Sequence, residues 1–295
     1  MKKSFIEKTF RFESQEKIVL CNAILDEYKQ QGFRLSLRQL YYQLVSRGYI
    51  ENSQRSYKNI GSLVSDARQA GLIDWGMIED RGRETVSVSH WDNPGEIIMS
   101  AAHSFRIDKW ERQPYYVHAM VEKDALSGVL GPVCRLLDIP LTANKGYSSS
   151  STMFEIGQIL RHKRFVDGKN ILILYLGDHD PSGIDMTRDV EERLEMYAEN
   201  AYIEVHRLAL NWDQIEQWTP PENPAKDSDS RFRAYADKFG ESSWELDAVE
   251  PVELANLVRD EVGEVLDQDL WNEDVAQETE WRKELEEYAN RYGDE

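Results

Sequence analysis

The first 89 residues place apolar side chains at the spacing of amphipathic helices. Ile18, Cys21, Leu25 and Tyr28 recur every three or four positions, which predicts a helix that ends near the sequence QQG. Ser36 is a suitable N-cap for a second helix. Three helices followed by a hairpin are typical of a winged helix-turn-helix domain, a module that often binds nucleic acid. The predicted elements are helices over residues 14–31, 37–47 and 54–70 and a short hairpin over residues 72–88.

From Pro114 onward the pattern changes, and short apolar runs alternate with amphipathic segments. Runs such as YYVHAMV and NILILYL suit buried strands, and the segments between them have helical spacing. This alternation predicts a parallel sheet with helices on both faces. The predicted strands cover residues 115–122, 139–146, 170–178 and 201–210, and the predicted helices cover residues 124–137, 151–165, 183–199, 251–266 and 275–291.

These patterns together predict an α/β protein with two domains. Residues 1–89 form the winged helix-turn-helix domain, residues 90–113 serve as a linker, and residues 114–295 form the sheet domain with a C-terminal helical extension. A chain of 295 residues, of which 41% are hydrophobic, has enough apolar side chains for two cores.

Composition narrows the setting in which the protein works. No apolar run approaches the roughly 18 residues of a membrane span, and the start MKKSFIEKTFRFE lacks the apolar stretch of a secretory signal. Cys21 and Cys134 lie far apart in apolar surroundings and have no zinc-binding spacing. We therefore expect a cytoplasmic protein with no membrane contact and with both thiols reduced in the core.

The net charge of −19 is distributed unevenly along the chain. Residues 1–113 contain 17 Lys and Arg against 15 Asp and Glu, residues 114–230 contain 11 against 19, and residues 231–295 contain 7 against 20. The N-terminal segment is therefore the part in which a phosphate-binding face meets the least repulsion. The acidic C-terminal region is either a solvated surface or a shield that repels nonspecific DNA.

Carboxylates follow two of the predicted parallel strands. Glu122 ends the first strand, and the sequence GDHDPSG places Asp178 and Asp180 after the third strand. Residues two apart in extended backbone point the same way, so both aspartates can face Glu122 at one edge of the sheet while His179 faces elsewhere. Crowded carboxylates suit Mg²⁺, or Mn²⁺, which can polarise a phosphodiester. The alternative is that the aspartates only cap a helix or shape a turn.

The motifs VEKDALSGVL and LGDHDPSGID resemble a Toprim domain over about residues 114–210. The D-x-D-P-x-G form is similar to that of the topoisomerase VI A subunit and its relatives that make meiotic double-strand breaks. By this resemblance Glu122, Asp178 and Asp180 match the acidic positions that bind Mg²⁺. The acidic stretch WELDAVEP at residues 244–251 is a further candidate for this site, although no spacing argument places it there.

The second predicted helix carries an arginine and a tyrosine outside its apolar stripe. At 100° per residue, Tyr42 lies beside Arg38 on the polar side, whereas Tyr41 belongs to the core. A neighbouring guanidinium can favour the phenolate or hold a phosphate. The alternative is a tyrosine at the core boundary whose hydroxyl meets water. The apolar stripe consists of Leu37, Leu40, Tyr41, Leu44 and Val45.

The pattern R-x-x-Y-Y on this helix resembles the tyrosine-bearing CAP-like domain of the topoisomerase VI A family. The resemblance implies that Tyr42, aided by Arg38, attacks a phosphodiester of double-stranded DNA, and it assigns Glu122 to both metal binding and catalysis. It also implies a 5′-phosphotyrosyl link and a free 3′-hydroxyl. It further implies a homodimer in which each tyrosine meets the metal site of the partner.

Other polar groups are candidates for DNA contacts. Arg55, Lys58 and Ser62 share one face of the third helix with further polar residues, and such a face can bind phosphate oxygens without reading bases. Lys145, in the sequence KGYSSSS, can also reach a phosphate. The alternatives are an ordinary solvated helix face and a polar loop that caps the next helix.

The sequence departs from the A subunits in length and contains no ATP site. The phosphate-binding motif G-x-x-x-x-G-K-[ST] is absent, so ATP-driven strand passage would need a separate ATPase subunit. The compact length resembles the short stand-alone Mini-A relatives. Three hypotheses stay open: a DNA transesterase, a Toprim metal-dependent nuclease in which Tyr42 is structural, and a non-catalytic DNA-binding or assembly protein.

Overall fold

A computed structural model describes residues 2–78, 88–144 and 149–293 of the chain. Besides the helices and strands it contains single turns of 3₁₀ helix, among them Leu246–Ala248. In chain order the elements are α1 (Phe12–Gln30), α2 (Leu37–Ser46), α3 (Gln54–Gln69), α4 (Pro94–Ser104), β1 (Tyr115–Val121), α5 (Ser127–Leu136), β2 (Leu141–Ala143), α6 (Ser150–Phe165), β3 (Asn170–Leu176), α7 (Pro181–Tyr197), β4 (Ile203–Ala209), α8 (Trp212–Trp218), β5 (Glu222–Pro224), α9 (Phe232–Phe239), β6 (Ser242–Trp244), α10 (Pro251–Val265) and α11 (Gln268–Gly293).

The three N-terminal helices form where the sequence predicts them. Ser36 caps α2, since its hydroxyl accepts from the backbone of Gln39 while the Gln39 side chain accepts from the backbone of Ser36. The predicted hairpin is different: residues 75–77 form a 3₁₀ turn, and Ile78 pairs with Leu35 as a single parallel bridge. Residues 79–87 of that hairpin lie outside the described residues.

A four-stranded parallel sheet forms the centre of the rest of the chain. The strand order is β2-β1-β3-β4, and each adjacent pair is parallel. Alternate residues of β3 face opposite sides: Leu172 and Leu174 pack with α5 and α10, and Ile171 and Ile173 pack with α6 and α7. The predicted parallel sheet with helices on both faces is therefore confirmed.

The N-terminal helices share their apolar core with one face of this sheet. A single cluster of buried side chains includes Ile18 and Leu40 from α1 and α2 and continues through Val258 of α10 to Leu172 of β3. The two predicted domains therefore pack directly against each other, which positions α2 beside the strand ends.

The segment that was predicted to be a linker is closely packed. Residues 90–113 include α4, which lies along α11, and Lys109 forms a buried ion pair with Glu278 at 2.6 Å. The ammonium of Lys169 donates to the backbone carbonyls of Trp110, Glu111 and Gln113 at 2.7–2.8 Å. These contacts fix the path of the chain into β1.

Both thiols are free and buried, as predicted. Cys21 is 0% exposed and Cys134 is 2% exposed, and burial raises the pKa of each to about 12. Neither thiol is therefore a reactive thiolate at neutral pH. Within the described ranges, no helix combines the length and apolarity that crossing a membrane requires.

Two helical glycines make a matched test of this packing. A Cβ on Gly157 of α6 would lie 2.5 Å from the Cβ of Tyr197 on α7, whereas a Cβ on Gly263 of α10 would meet nothing within 4 Å. We expect Gly157→Ala to lower the free energy of unfolding by about 1–3 kcal/mol, because the two helices must separate. Gly263→Ala should raise it by up to about 1 kcal/mol. Urea unfolding measures both changes, and equal effects would contradict the close approach of α6 and α7.

Candidate functional site

The parallel pairing of β1 with β3 brings the first two predicted carboxylates together. Val121 pairs with Leu176, so the next residues of both strands leave the sheet at the same edge. The backbone N–H of Asp178 donates to Oε2 of Glu122 at 2.9 Å. Both side chains are buried, with 7% and 6% exposure. Glu122 and Asp178 therefore lie side by side, as the sequence predicts.

Asp180 begins α7 as its N-cap. Its Oδ1 accepts from the backbone N–H of Gly183 at 2.6 Å. A Cβ on Gly183 would lie 2.3 Å from the carbonyl oxygen of Asp178 and 3.2 Å from Oε2 of Glu122, so only glycine fits this turn. The alternative role of Asp180 as a helix cap is therefore confirmed, and its charge still acts on the carboxyl group of Glu122.

His179 faces away from these carboxylates and anchors the acidic segment of residues 244–251. It exchanges two backbone hydrogen bonds with Trp244, at 2.9 and 3.0 Å. Its buried ring bonds the hydroxyl of Tyr235 at 2.8 Å and contacts Phe239 and Trp212. This aromatic packing brings the residues after Trp244 to the strand ends.

Lys123 connects Asp178 with Glu245 and Asp247, two of the three carboxylates of that segment. Its Nζ lies 2.7 Å from Oδ2 of Asp178 and 3.2 Å from Oδ2 of Asp247, and it also bonds Glu245. The backbone N–H of Leu246 donates to Oδ1 of Asp178 at 2.7 Å. Burial opposes the charge on Lys123, but the carboxylates outweigh burial and raise its pKa. We refer to Glu122, Asp178, Asp180, Glu245 and Asp247 as the acidic cluster.

The acidic cluster holds more negative charge than its cations neutralise. Burial, with the nearby charges of Glu122 and Glu245, raises the pKa of Asp178 to about 7 even though Lys123 acts in the opposite direction. Burial and the charge of Asp180 raise the pKa of Glu122 as well. Neither Glu122 nor Asp180 forms an ion pair with a residue in the described ranges. An added cation would therefore stabilise this cluster.

The donor chemistry of the cluster fits a hard divalent cation. All of the donors are carboxylate oxygens, and both oxygens of Asp247 are buried without a hydrogen bond, although Lys123 and Arg38 lie nearby. Among residues 2–78, 88–144 and 149–293, no three His, Cys, Asp or Glu side chains already converge on a metal position. Metal binding would therefore require Asp178 and Asp180 to exchange their present partners.

Tyr42 is buried, and the prediction that it lies outside the core is wrong. Its side chain is 4% exposed and packs against Tyr41 and Ala248. The turn Leu246–Ala248 covers the polar side of α2, which a helical projection of α2 alone does not reveal. Burial and the charge of Glu245 raise the pKa of the Tyr42 phenol, against the opposing effects of Asn223 and Arg38.

Arg38 joins the tyrosine helix to the acidic cluster. Its Nη2 lies 2.6 Å from Oε2 of Glu245 and its Nε lies 3.5 Å from Oδ2 of Asp247. The guanidinium carbon lies 5.9 Å from the centre of the Tyr42 ring, so the predicted neighbourhood of Arg38 and Tyr42 is confirmed. A continuous ionic chain therefore runs from Arg38 through Glu245 and Lys123 to Asp178.

Arg207 is a further site residue, which no sequence motif indicated. From β4 its guanidinium donates to the carbonyls of Asp178 at 2.6 Å and Gly183 at 3.0 Å, and to the hydroxyl of Thr187 at 2.6 Å. These bonds fix the backbone that carries Asp178 and Asp180. An arginine inside a predicted strand gives no signal of this role.

The residues predicted to contact DNA lie on the exposed side of α3. Arg55, Lys58 and Ser62 are exposed, while Ile60 and Val64 of the same helix are buried. The predicted orientation of α3 is therefore confirmed. The prediction for Lys145 lies outside the described residues.

Comparison with known proteins finds no match for this chain among family models, and no curated protein matches its sequence. The resemblance to the topoisomerase VI A family therefore stays a prediction that rests on the motif residues of the sequence.

The role of Arg207 can be tested by a conservative change. In Arg207→Lys an ammonium replaces the planar guanidinium, and several buried carbonyl oxygens lose their hydrogen-bond donor. We expect the free energy of unfolding to fall by about 2–4 kcal/mol in urea titrations. Arg188→Lys is the control, because Arg188 is exposed and its ion pairs with Asp185 and Glu192 lie on the surface. A loss no larger than that of the control would contradict the role of Arg207.

Proposed function

We propose that this protein cleaves DNA strands by transesterification, with Tyr42 as the nucleophile, in the manner of a type IIB topoisomerase A subunit. The observation that carries the proposal is the ionic chain from Arg38 to Asp178. It links the helix that bears Tyr42 to the carboxylates at the strand ends. A nucleophile, a guanidinium for phosphate and a group of carboxylates within one chain support phosphoryl transfer as the reaction class.

In the proposed step, the phenol oxygen of Tyr42 attacks the phosphorus of a DNA phosphodiester. A bond forms between phosphorus and this oxygen, and the bond from phosphorus to the 3′-oxygen breaks. The phenol loses its proton and the departing 3′-oxygen gains one, so the charges balance and a 5′-phosphotyrosyl link with a free 3′-hydroxyl results. Arg38, beside the ring, favours the phenolate and holds the phosphate, which offsets the raised pKa of the buried phenol.

The carboxylates support Mg²⁺, with Mn²⁺ as a substitute, as the cofactor. Glu122, Asp178 and Asp180 would hold the ion, which supplies neutralising charge next to the phosphodiester. Within the described parts of the chain, Glu122 and Asp180 accept backbone hydrogen bonds but form no ion pair, and Arg207 keeps the backbone of Asp178 in position. The sequence lacks the phosphate-binding motif G-x-x-x-x-G-K-[ST].

The proposed substrate is double-stranded DNA, bound in part through Arg55, Lys58 and Ser62 on α3 and through Lys145. One chain carries one Tyr42, so cutting both strands takes a homodimer. Here Arg38 binds Glu245 of its own chain and Tyr42 packs against Ala248, and attack beside the partner's cluster would require these contacts to be exchanged. Strand passage would require a separate ATPase subunit. The buried free thiols are in keeping with the cytoplasm as the place of action.

A second candidate function is a metal-dependent nuclease, in which activated water attacks phosphorus and Tyr42 is structural. The burial of Tyr42 favours this candidate, because a phenol that is 4% exposed and has a raised pKa is a poor nucleophile without a conformational change.

The two candidates differ in what Tyr42→Phe does to cleavage of a supercoiled plasmid in Mg²⁺ or Mn²⁺. If Tyr42 is the nucleophile, Tyr42→Phe should lower cleavage by on the order of 10³-fold or more and abolish the covalent protein–DNA adduct. Tyr41→Phe is the matched control, since the Tyr41 hydroxyl contacts Asn52 and Ser53 instead. Products are compared with and without detergent and protease, using end-labelled DNA to detect the adduct.

The carboxylates distinguish the remaining outcomes of the same assay. Asp178→Asn should abolish cleavage under either enzymatic mechanism. Cleavage that survives Tyr42→Phe but not Asp178→Asn would assign the nuclease. No cleavage by the unaltered protein under any metal condition would leave a non-catalytic DNA-binding or assembly protein.

A further inference from the structure

A cavity of about 460 Å³ lies between α2, the start of α3 and the β5–β6 hairpin, next to Tyr42. Its volume falls in the range of small-ligand sites in proteins. Aromatic, amide and charged side chains line it together, so its chemistry is mixed and not that of a plain apolar gap. The side chains that matter here are Tyr57, Tyr41, Tyr42, Arg38, Lys58 and Asn223.

One wall of the cavity is a series of tyrosine rings. Tyr41 makes edge contacts with Tyr42 and with Tyr57, each at 5.2 Å between ring centres. Tyr41 and Tyr42 are buried, but Tyr57 is 37% exposed although it belongs to the side of α3 that faces the core. An exposed ring supported from behind by a second ring is a platform on which a planar group can stack.

Positively charged side chains line the cavity beside the tyrosine rings. Lys58 is exposed at the rim, and Arg38 reaches in from α2. Glu245 also lines the cavity, but its carboxylate is paired with Arg38 at 2.6 Å and with Lys123. A platform of planar rings with two cations beside it matches a ligand that combines a flat base with an anionic phosphate, which is a nucleotide.

A neighbouring cavity of about 540 Å³ shares two of these side chains. Arg38 and Tyr57 line both cavities, so the Tyr57 ring stands between them, and Ser65 and Arg68 extend the polar lining along α3. A single free nucleotide would fill one of the two. A strand, in contrast, can continue from one cavity past Tyr57 into the other, and this favours a nucleotide that belongs to a chain.

We propose that the cavity next to Tyr42 binds one unpaired nucleotide of a DNA strand, with its base against Tyr57 and its phosphate facing Arg38 and Lys58. The inference rests on the proposed function, since it positions the strand that Tyr42 attacks. It adds a requirement that the substrate present at least one unstacked base at the cleavage point. Tyr57 acts as a positioning residue for the strand.

The test is strand binding in EDTA, where cleavage does not contribute. The full chain carrying Tyr42→Phe is titrated into fluorescein-labelled oligothymidylate of ten nucleotides and, separately, into a blunt hairpin duplex, and anisotropy gives the Kd. Tyr57→Leu should raise the Kd for the single strand by roughly 5- to 150-fold, the range of one lost base–aromatic stack. Tyr57→Phe keeps the ring and should bind as the parent does. The Kd for the duplex should not change with either substitution.

An abasic ten-nucleotide strand separates a base contact from a change in folding. The parent and Tyr57→Leu should bind it with equal Kd, because no base is present to stack. Equal weakening of the abasic strand, the single strand and the duplex would overturn the inference and make Tyr57 a structural residue. An unchanged Kd for oligothymidylate in Tyr57→Leu would overturn it as well.

Competition identifies the source of the nucleotide. Unlabelled oligothymidylate should displace the probe at a lower concentration than deoxythymidine monophosphate, and equal potency would reassign the cavity to free nucleotides. Tighter binding of oligouridylate would reassign it to RNA. These binding measurements need no catalysis. If Tyr57→Leu does not raise the Kd for the single strand, but the protein with Tyr42 intact still forms the covalent DNA adduct, only this inference is refuted. If Tyr57→Leu raises the Kd for oligothymidylate but not for the abasic strand, and the protein never cleaves DNA, only the proposed function is refuted.

Discussion

The contact of the Lys123 ammonium with three carboxylates is the interaction on which this arrangement depends. Asp178 comes from the end of β3, whereas Glu245 and Asp247 come from a segment nearly 70 residues later. Asp178 and Asp247 are almost fully buried, and buried carboxylates without a cation would repel one another strongly. Glu122 and Lys123 are the first two residues after β1, so the same strand positions both this carboxylate and the cation that binds the acidic segment.

That contact also decides where Tyr42 lies. The turn Leu246–Ala248 follows Glu245, and it is held at the strand end by the bond from the Leu246 N–H to Asp178. Because the same turn covers α2, Tyr42 is enclosed by the segment that completes the acidic cluster. Arg38 of α2 also binds this segment through its ion pair with Glu245. Contacts within a single chain therefore hold helix α2, which carries Tyr42, against the acidic cluster.

The sequence predicted what depends on local pattern. Helices α1 to α3 begin and end within two residues of their predicted bounds, and Glu122 and Asp178 meet because parallel strands end at one edge. Features that depend on distant contacts were missed. The burial of Tyr42 depends on a turn about 200 residues away, and α8 and α9 are short helices that carry little periodic signal. A lysine beside a glutamate, such as Lys123, gives no sign that it will bind three carboxylates.

The cavity beside Tyr42 affects how its burial bears on its two possible roles, which are the nucleophile and a structural residue. A phenol enclosed by the core on every side would be structural. Tyr42, however, lines this cavity together with Arg38 and Asn223. The amide of Asn223 donates to the Tyr42 hydroxyl at 3.4 Å. The hydroxyl therefore borders a volume large enough for a nucleotide, with a cation on its rim. The turn encloses Tyr42, and the same ring contributes to the lining of the cavity, although only 4% of its surface is exposed.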